Sequence, residues 1–208
     1  MLATVRNQHF AFDCQKRLKN DTDSSKWKRF DKKSIIPQTN NSLWLIKKGI
    51  VKTLTWNETG KTITLGYWGE GDVVGLPLSK ANPYEAECLK IVEAICIPWE
   101  QCSYLFREIS CCVQQTDELL RIVRIEKMYQ RLTKLLVWLA QKFGTQVLQG
   151  VLINLRLTHQ ELADMIGSTR VTVTRLLNQL EKEEIIVRPC RFSIIVNLNV
   201  VRESLRLY

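Results

Sequence analysis

One constellation in this chain has residue types and a spacing that suit a defined chemistry. After Thr169, the residues Val173, Leu176, Leu177 and Leu180 recur at intervals of three and four, which places them on a single stripe of an α-helix. At 100° per residue the opposite face centres on Val171, Arg175 and Asn178, with Arg170 and Thr174 beside it. An α-helix fits the major groove of DNA and reads it only through its outward residues. Arg170 and Arg175 have the fork that matches guanine O6 and N7, a pairing worth roughly 1–3 kcal/mol of discrimination, and Val171 suits a thymine methyl. Upstream, Thr158 and Glu161 stand at capping-box spacing, with Leu157 and Leu162 at the staple positions. The helix they start is short, because Gly167 stops it near Ile166, and Ser168 and Thr169 are placed to cap the second helix. Thr158, His159 and Gln160 lie at the first helix start, where backbone N–H groups and small polar side chains suit a phosphate oxygen. A short helix, a glycine turn and a second helix with Arg, Thr and Asn outward is the helix-turn-helix pattern. A helix pair that packs only for stability shows the same polar outer face, so periodicity alone leaves that alternative open.

The elements that must hold this pair can be read outward from it. Ile185-Ile-Val187 and Phe192-Ser-Ile-Ile-Val196 flank Arg188-Pro-Cys-Arg191 and read as a hairpin, a wing behind the helices. Between Trp99 and Phe143 there is neither Gly nor Pro, and so long a run exceeds one ordinary helix. It divides into a short helix over 100–110, a long one over 111–129 and a third over 131–143. The third carries the stripe Leu132, Leu135, Leu136, Leu139 and Phe143, with Gly144 as its C′ stop. The long one mixes Leu119, Leu120, Ile122, Val123 and Ile125 with charge and reads as a dimer seam, or as a helix packed on its own β domain. Residues 35–100 read as short strands. Asn57-Glu-Thr-Gly60 is a turn between two of them, and Gly69, Gly71 and Gly75 punctuate the chain beyond Trp68. Strands at this spacing suggest a sandwich or jelly roll. Residues 1–34 are basic and polar, a loosely docked arm whose first part, to about Ser25, is expected to be mobile.

With 208 residues the chain is long enough for a core without disulfide staples. Its net charge is +9, most of it within residues 1–62, which carry 13 Lys+Arg against 5 Asp+Glu, while residues 63–110 are acidic on balance. A basic chain suits a polyanion, nucleic acid above all. No run of 18 apolar residues exists, so no membrane span is expected, and Met1 to Asn20 has no secretory h-region. The seven cysteines are Cys14, Cys88, Cys96, Cys102, Cys111, Cys112 and Cys190. Their odd number argues against a secreted disulfide framework. There is no C-x-x-C pair, and only His9 and His159 could add imidazole, so a zinc site has poor support. Buried reduced thiols are the first reading. A redox or iron–sulfur sensor built from Cys88 to Cys112 is the alternative. Gly69-Glu-Gly-Asp-Val-Val-Gly75 lacks the spacing and helix of a nucleotide loop, and no set of catalytic residues stands out.

The stretch Leu157-Thr-His-Gln-Glu-Leu-Ala-Asp-Met-Ile-Gly-Ser-Thr-Arg-Val-Thr-Val-Thr-Arg-Leu-Leu177 resembles the helix-turn-helix of the Crp/Fnr family of transcription regulators. Within that family it is most similar to the global nitrogen regulators of cyanobacteria and red-algal plastids. Leu43-Trp-Leu-Ile-Lys-Lys-Gly-Ile-Val-Lys52 and Gly69 to Gly75 more faintly resemble the family's sensor β-roll. The resemblance implies an α+β chain: a cyclic-nucleotide-binding-like β-roll with the basic arm over 1–110, a dimerisation helix over 111–130 and a winged helix-turn-helix over 131–208. It implies that Arg170, Val171 and Arg175 stand at base edges and Thr158, His159, Gln160 and Thr169 near phosphates. Ser168, Thr174 and Asn178 complete the candidate DNA-binding set. The partners implied are double-stranded DNA, a second copy of the chain and RNA polymerase, in the cytoplasm at the nucleoid, or in the plastid stroma for a plastid-encoded chain.

The sensor departs from the family. Cyclic-nucleotide binders carry Gly-Glu-Leu and a later Arg-Ser pair. Here the runs are Gly75-Leu76-Pro77 and Pro83-Tyr-Glu-Ala-Glu87, and a cyclic phosphate beside Glu85 and Glu87 lacks its counter-charge. The nitrogen regulators hold 2-oxoglutarate with two arginines. The first falls in the Tyr84–Glu87 region, where no Arg stands, and the second aligns with Cys112, though the acidic position is kept as Asp117. The iron–sulfur relatives need an N-terminal cysteine cluster, where only Cys14 lies, and the haem relatives need a histidine in the roll. The expectation is a degenerate sensor, no cofactor, no metal and an unknown effector.

Overall fold

Four consecutive apolar residues, Leu43 to Ile46, are all buried. Successive side chains of a strand point to opposite faces, so a strand buried throughout must belong to a sheet covered on both sides. The computed structural model describes residues 27–190 and 192–204, and the chain forms two compact units, Met1–Thr116 and Asp117–Tyr208. In the first, β1 (Trp27–Phe30), β2 (Ser42–Lys48), β3 (Val51–Trp56), β4 (Thr62–Trp68), β5 (Val73–Val74), β6 (Glu85–Cys88) and β7 (Val92–Pro98) build two antiparallel sheets. Their orders are β1-β7-β2-β5 and β4-β3-β6. Trp44 and Ile46 turn inward with Val51, Ala86 and Ala94, contributed by both sheets. Leu43 and Leu45 turn outward onto Ile97, Cys102, Leu105 and Cys112. That outer cover is a 3-10 segment, Trp99–Leu105, leading into α1 (Phe106–Val123). The Asn57 to Gly60 turn forms as expected: the Asn57 carboxamide oxygen accepts from the backbone N–H of Thr59 and of Lys61, and Gly60 takes φ +74°.

Three boundaries differ from the sequence reading. The segment over 100–110 is mostly 3-10, and the long helix runs over 106–123 rather than 111–129. Its end carries no Gly or Pro. Beyond that end Arg131 ties the linker to a later element: its Nε donates to Ile125 O at 2.8 Å and its Nη1 to Ile166 O at 2.7 Å, the latter a carbonyl that the end of the helix over His159–Ile166 leaves open. The arm contributes an edge strand, since Trp27 to Phe30 pair with Ile95 to Val92. Its expected mobile part, to about Ser25, lies outside the described residues, as do His9, Cys14 and Arg191.

The second unit holds α2 (Met128–Phe143), β8 (Gly144–Val147), β9 (Gly150–Ile153), α3 (His159–Ile166), α4 (Arg170–Lys182), β10 (Ile186–Cys190), β11 (Ser193–Val196) and α5 (Leu198–Ser204). Its sheet has the order β10-β11-β9-β8. The stripe expected on the third helix is buried: Leu132, Leu135, Leu136, Leu139 and Phe143 all lie in the core. Gly144 ends that helix, but not as a left-handed C′ residue. It is extended, at φ −88° and ψ 156°, and opens β8 directly. Glycine is required there by close approach, because a Cβ would stand 2.1 Å from Ala140 O and 2.2 Å from Val151 Cγ1. The β8–β9 hairpin and α5 were not anticipated from the sequence.

Candidate nucleic-acid interface

The first helix of the pair begins where its cap says it must. The Thr158 hydroxyl accepts from Glu161 N at 3.1 Å, and Glu161 Oε2 accepts from Thr158 N at 2.8 Å. This is the full capping box, satisfying two otherwise orphaned donors. Leu157 and Leu162, the staple pair, are both buried. α3 stops at Gly167, which is left-handed at φ 64° and ψ 46°, a conformation costly for any residue with a Cβ. The turn is closed by Ser168 N donating to Ala163 O at 2.8 Å. Thr169, not Ser168, caps α4: its hydroxyl accepts from Thr172 N at 3.2 Å. α4 then buries Val173, Leu176, Leu177 and Leu180, the stripe its sequence foretold.

The opposite face of α4 is open. Val171 is 79% exposed, and Arg170, Arg175 and Asn178 are exposed beside it. Among the described residues neither the Arg170 nor the Arg175 guanidinium has a hydrogen-bond or ion-pair partner. An exposed guanidinium without an internal partner keeps its five donors available to a ligand. Half-buried His159 reaches across from α3, its Nδ1 lying 2.8 Å from Thr174 Oγ1. Thr174 in turn donates to Arg170 O at 2.8 Å. The structure therefore brings together Thr158, His159, Thr169, Arg170 and Thr174 at one end of the helix pair. Gln160 is turned to its own helix, donating to Asp164 Oδ1 at 2.9 Å.

One residue of the site was missed by sequence reasoning. Arg188, on the first strand of the wing, folds back on α4. Its Nε and Nη2 donate to Glu181 Oε2 at 3.2 and 2.5 Å, its backbone N–H to Glu181 Oε1 at 3.2 Å, and its Nη2 also to Asn178 Oδ1 at 2.7 Å. These bonds hold the Glu181 carboxyl below its ordinary range. The sequence signal was a carboxylate on the rim of the recognition face followed by an arginine seven positions on, across a turn.

The described cysteines fall in several places, with Cys111 half-buried. Cys88 belongs to the inner cluster of the roll, Cys102 and Cys112 to the outer one, and Cys96 and Cys190 are exposed. Burial pushes the thiols of Cys88 and Cys102 up. Cys190 goes the other way, lowered first by the Ser193 hydroxyl 3.0 Å from its sulfur. Among the described residues no group of three His, Cys, Asp or Glu side chains is placed to hold a metal ion. No described helix is long and apolar enough to cross a membrane.

A capped helix pair around a left-handed glycine, backed by a two-stranded wing, is a winged helix-turn-helix. Residues 130–203 match the Crp-like helix-turn-helix domain. The regulatory protein CysR of Synechococcus elongatus is 40% identical over 157 residues, covering 73% of this chain and 74% of CysR. The global nitrogen regulator of a Nostoc species is 33% identical over 160 residues, 69% of this chain and 72% of its own. Among solved structures, a CRP-family transcriptional regulator from Thermus thermophilus aligns with a TM-score of 0.70 at 23% identity, over 85% of this chain and 96% of that one. The chain belongs to the Crp/Fnr family of transcriptional regulators. Its roll has the cyclic-nucleotide-binding-like fold: a cyclic nucleotide-binding domain containing protein from Listeria monocytogenes aligns with a TM-score of 0.73 at 16% identity, over 91% and 99% of the two chains.

Proposed function

We propose that this regulator binds symmetric duplex DNA as a homodimer, each copy inserting α4 into the major groove. The observation that carries the reading is the outward face of α4, where Arg170, Val171 and Arg175 are exposed and both guanidinium groups lack partners among the described residues. Arg170, Val171 and Arg175 read base edges. Thr158, His159, Gln160, Ser168, Thr169 and Thr174 line the phosphates, where the capped start of α3 supplies backbone N–H groups. Dimerisation is supported by α1. Phe106, Val113 and Leu120 stand seven residues apart and are 76%, 64% and 50% exposed, an apolar seam at heptad spacing. Two such copies address half-sites one helical turn, ~34 Å, apart. Regulation follows by contact with RNA polymerase or by blocking it, in the cytoplasm, with no enzymatic step.

The roll acts here as a degenerate sensor. Tyr84-Glu-Ala-Glu87 supplies no cation to an anionic effector, and Lys52 is already paired with Glu87 at 2.9 Å. The decisive experiment is selection of bound sequences from a random duplex pool, with and without 2-oxoglutarate. A two-fold symmetric consensus, unchanged by the ligand, is expected. An absence of preference over random DNA at ~0.15 M salt refutes the reading, since non-specific binding is an electrostatic term that carries no sequence information.

A further inference from the structure

Asn178 has an amide with one accepting and one donating end, and a free Asn on a recognition helix uses both. It accepts from adenine N6 while donating to N7. In this protein the two ends are not equivalent. A guanidinium has donors and no acceptor, so the end of the Asn178 amide that meets Arg188 Nη2 at 2.7 Å is the oxygen. Arg188 does not swing away to release it, because Glu181 holds the same guanidinium through Nε and Nη2, and holds the arginine backbone as well. Asn178 is itself exposed, on the outward face of α4, and what it turns to solvent is the NH₂ end.

We propose that Asn178 meets DNA through the donating end of its amide, oriented by the Glu181–Arg188 pair. Its counterpart is an acceptor, guanine O6 or N7 or a phosphate oxygen; the amide oxygen keeps a second lone pair, but with the oxygen aimed at Arg188 the two-bond contact with adenine is disfavoured. Arg188, although cationic and on the wing, is a positioning residue: its Nε and Nη2 donors are engaged within the protein. The inference rests on the proposed entry of α4 into the groove.

The test uses the full-length protein, as wild type, Asn178→Ala, Arg188→Met and the double variant. Each is titrated by fluorescence anisotropy against the selected consensus and against duplexes carrying every base pair at each half-site position. Asn178→Ala is expected to weaken binding about fivefold or more per half-site. A loss confined to one guanine position marks the base edge as the acceptor. A loss equal on all sequences, with the salt dependence unchanged because no charge was removed, marks a phosphate. Arg188→Met releases the amide, so the effect of Asn178→Ala measured in that background differs at least about threefold from its effect in wild type. Arg188→Lys, which keeps a cation against Glu181 but cannot present the fork, shows the same non-additivity and replaces Arg188→Met if the latter lowers the melting midpoint. Three results overturn the proposal: Asn178→Ala abolishing an adenine preference, Asn178→Ala changing nothing, or strictly additive effects. Wild-type protein that prefers no sequence overturns the proposed function instead, and this inference with it.

Discussion

Replacing Arg175 with alanine separates recognition from folding more cleanly than any other change on α4. The side chain is exposed and has no hydrogen-bond or ion-pair partner among the described residues, so its loss leaves nothing unpaired. Surface substitutions of that kind stay within about 0.5 kcal/mol of neutral, and alanine is the better helix former. The melting midpoint is therefore expected to hold. Binding is not. A two-bond contact with guanine is worth roughly 1–3 kcal/mol, and a symmetric site contains it twice, so the full site loses about 2–6 kcal/mol. At about 1.4 kcal/mol per tenfold, that is some 30-fold to 10⁴-fold in affinity. Anisotropy titrations at fixed salt, on the consensus and on duplexes with the contacted guanine replaced in one or both half-sites, give the comparison. Wild type should lose affinity stepwise with each replacement, and Arg175→Ala should be indifferent to both. If Arg175→Ala retains the wild-type base preference, or weakens every sequence alike, Arg175 is not a base reader and the orientation assigned to α4 is wrong.

Other consequences follow from the same geometry. Val113→Glu places a charge in the exposed apolar seam of α1 and should weaken the dimer at least about tenfold in sedimentation equilibrium, where an unchanged mass would exclude α1 as the interface. Leu177 is 0% exposed, and Leu177→Ala should cost about 2–5 kcal/mol, read as earlier melting of the unit that carries the helix pair; a shift too small to measure would mean that α4 is not packed as described. Cys190 is exposed and its thiol is lowered by Ser193, so it should form thiolate and react with iodoacetamide at a lower pH than the buried, raised thiols of Cys88 and Cys102. Ser193→Ala should move its rate profile to higher pH, and an unmoved profile would refute that cause. Neither cyclic AMP nor 2-oxoglutarate at millimolar concentration should raise the melting midpoint. A ligand present at a hundred times its Kd would add about 2.7 kcal/mol, and a shift of that order would overturn the degenerate-sensor reading.

The helix pair was legible because its signals are local. Thr158, Glu161, Gly167 and Thr169 act within four residues of themselves, and the stripe from Val173 to Leu180 repeats within one element. The same holds for the Asn57 to Gly60 turn. What escaped depends on partners distant in sequence. No Gly or Pro marks the end of α1 at Val123, and the Arg131 side chain that bonds the linker carbonyl of Ile125 reaches on to Ile166, 35 residues away. Gly144 looked like a helix stop and is one, yet only half the reason is local: a Cβ would meet Ala140 O four residues back and also Val151 on the neighbouring strand. Trp27 to Phe30 looked like part of a polar arm because an edge strand needs only one buried face, and its partner β7 lies more than sixty residues on.

Arginine shows most plainly where sequence reading stops. Arg131, Arg170, Arg175 and Arg188 are the same residue type in one basic unit, and net charge treats them alike. The fold sorts them by what stands opposite. Arg131 meets two carbonyl oxygens and Arg188 meets a carboxylate and an amide oxygen. Both are half-buried, so truncating either leaves acceptors without donors, a cost set by the group left behind. Arg170 and Arg175 meet no partner among the described residues and stand in solvent, and their donor capacity remains for a ligand. An arginine that supports the fold and one that serves DNA are thus distinguished by internal acceptors, not by position on a motif. By that criterion a wing arginine, which charge alone would assign to phosphate, belongs to the scaffold that aims Asn178.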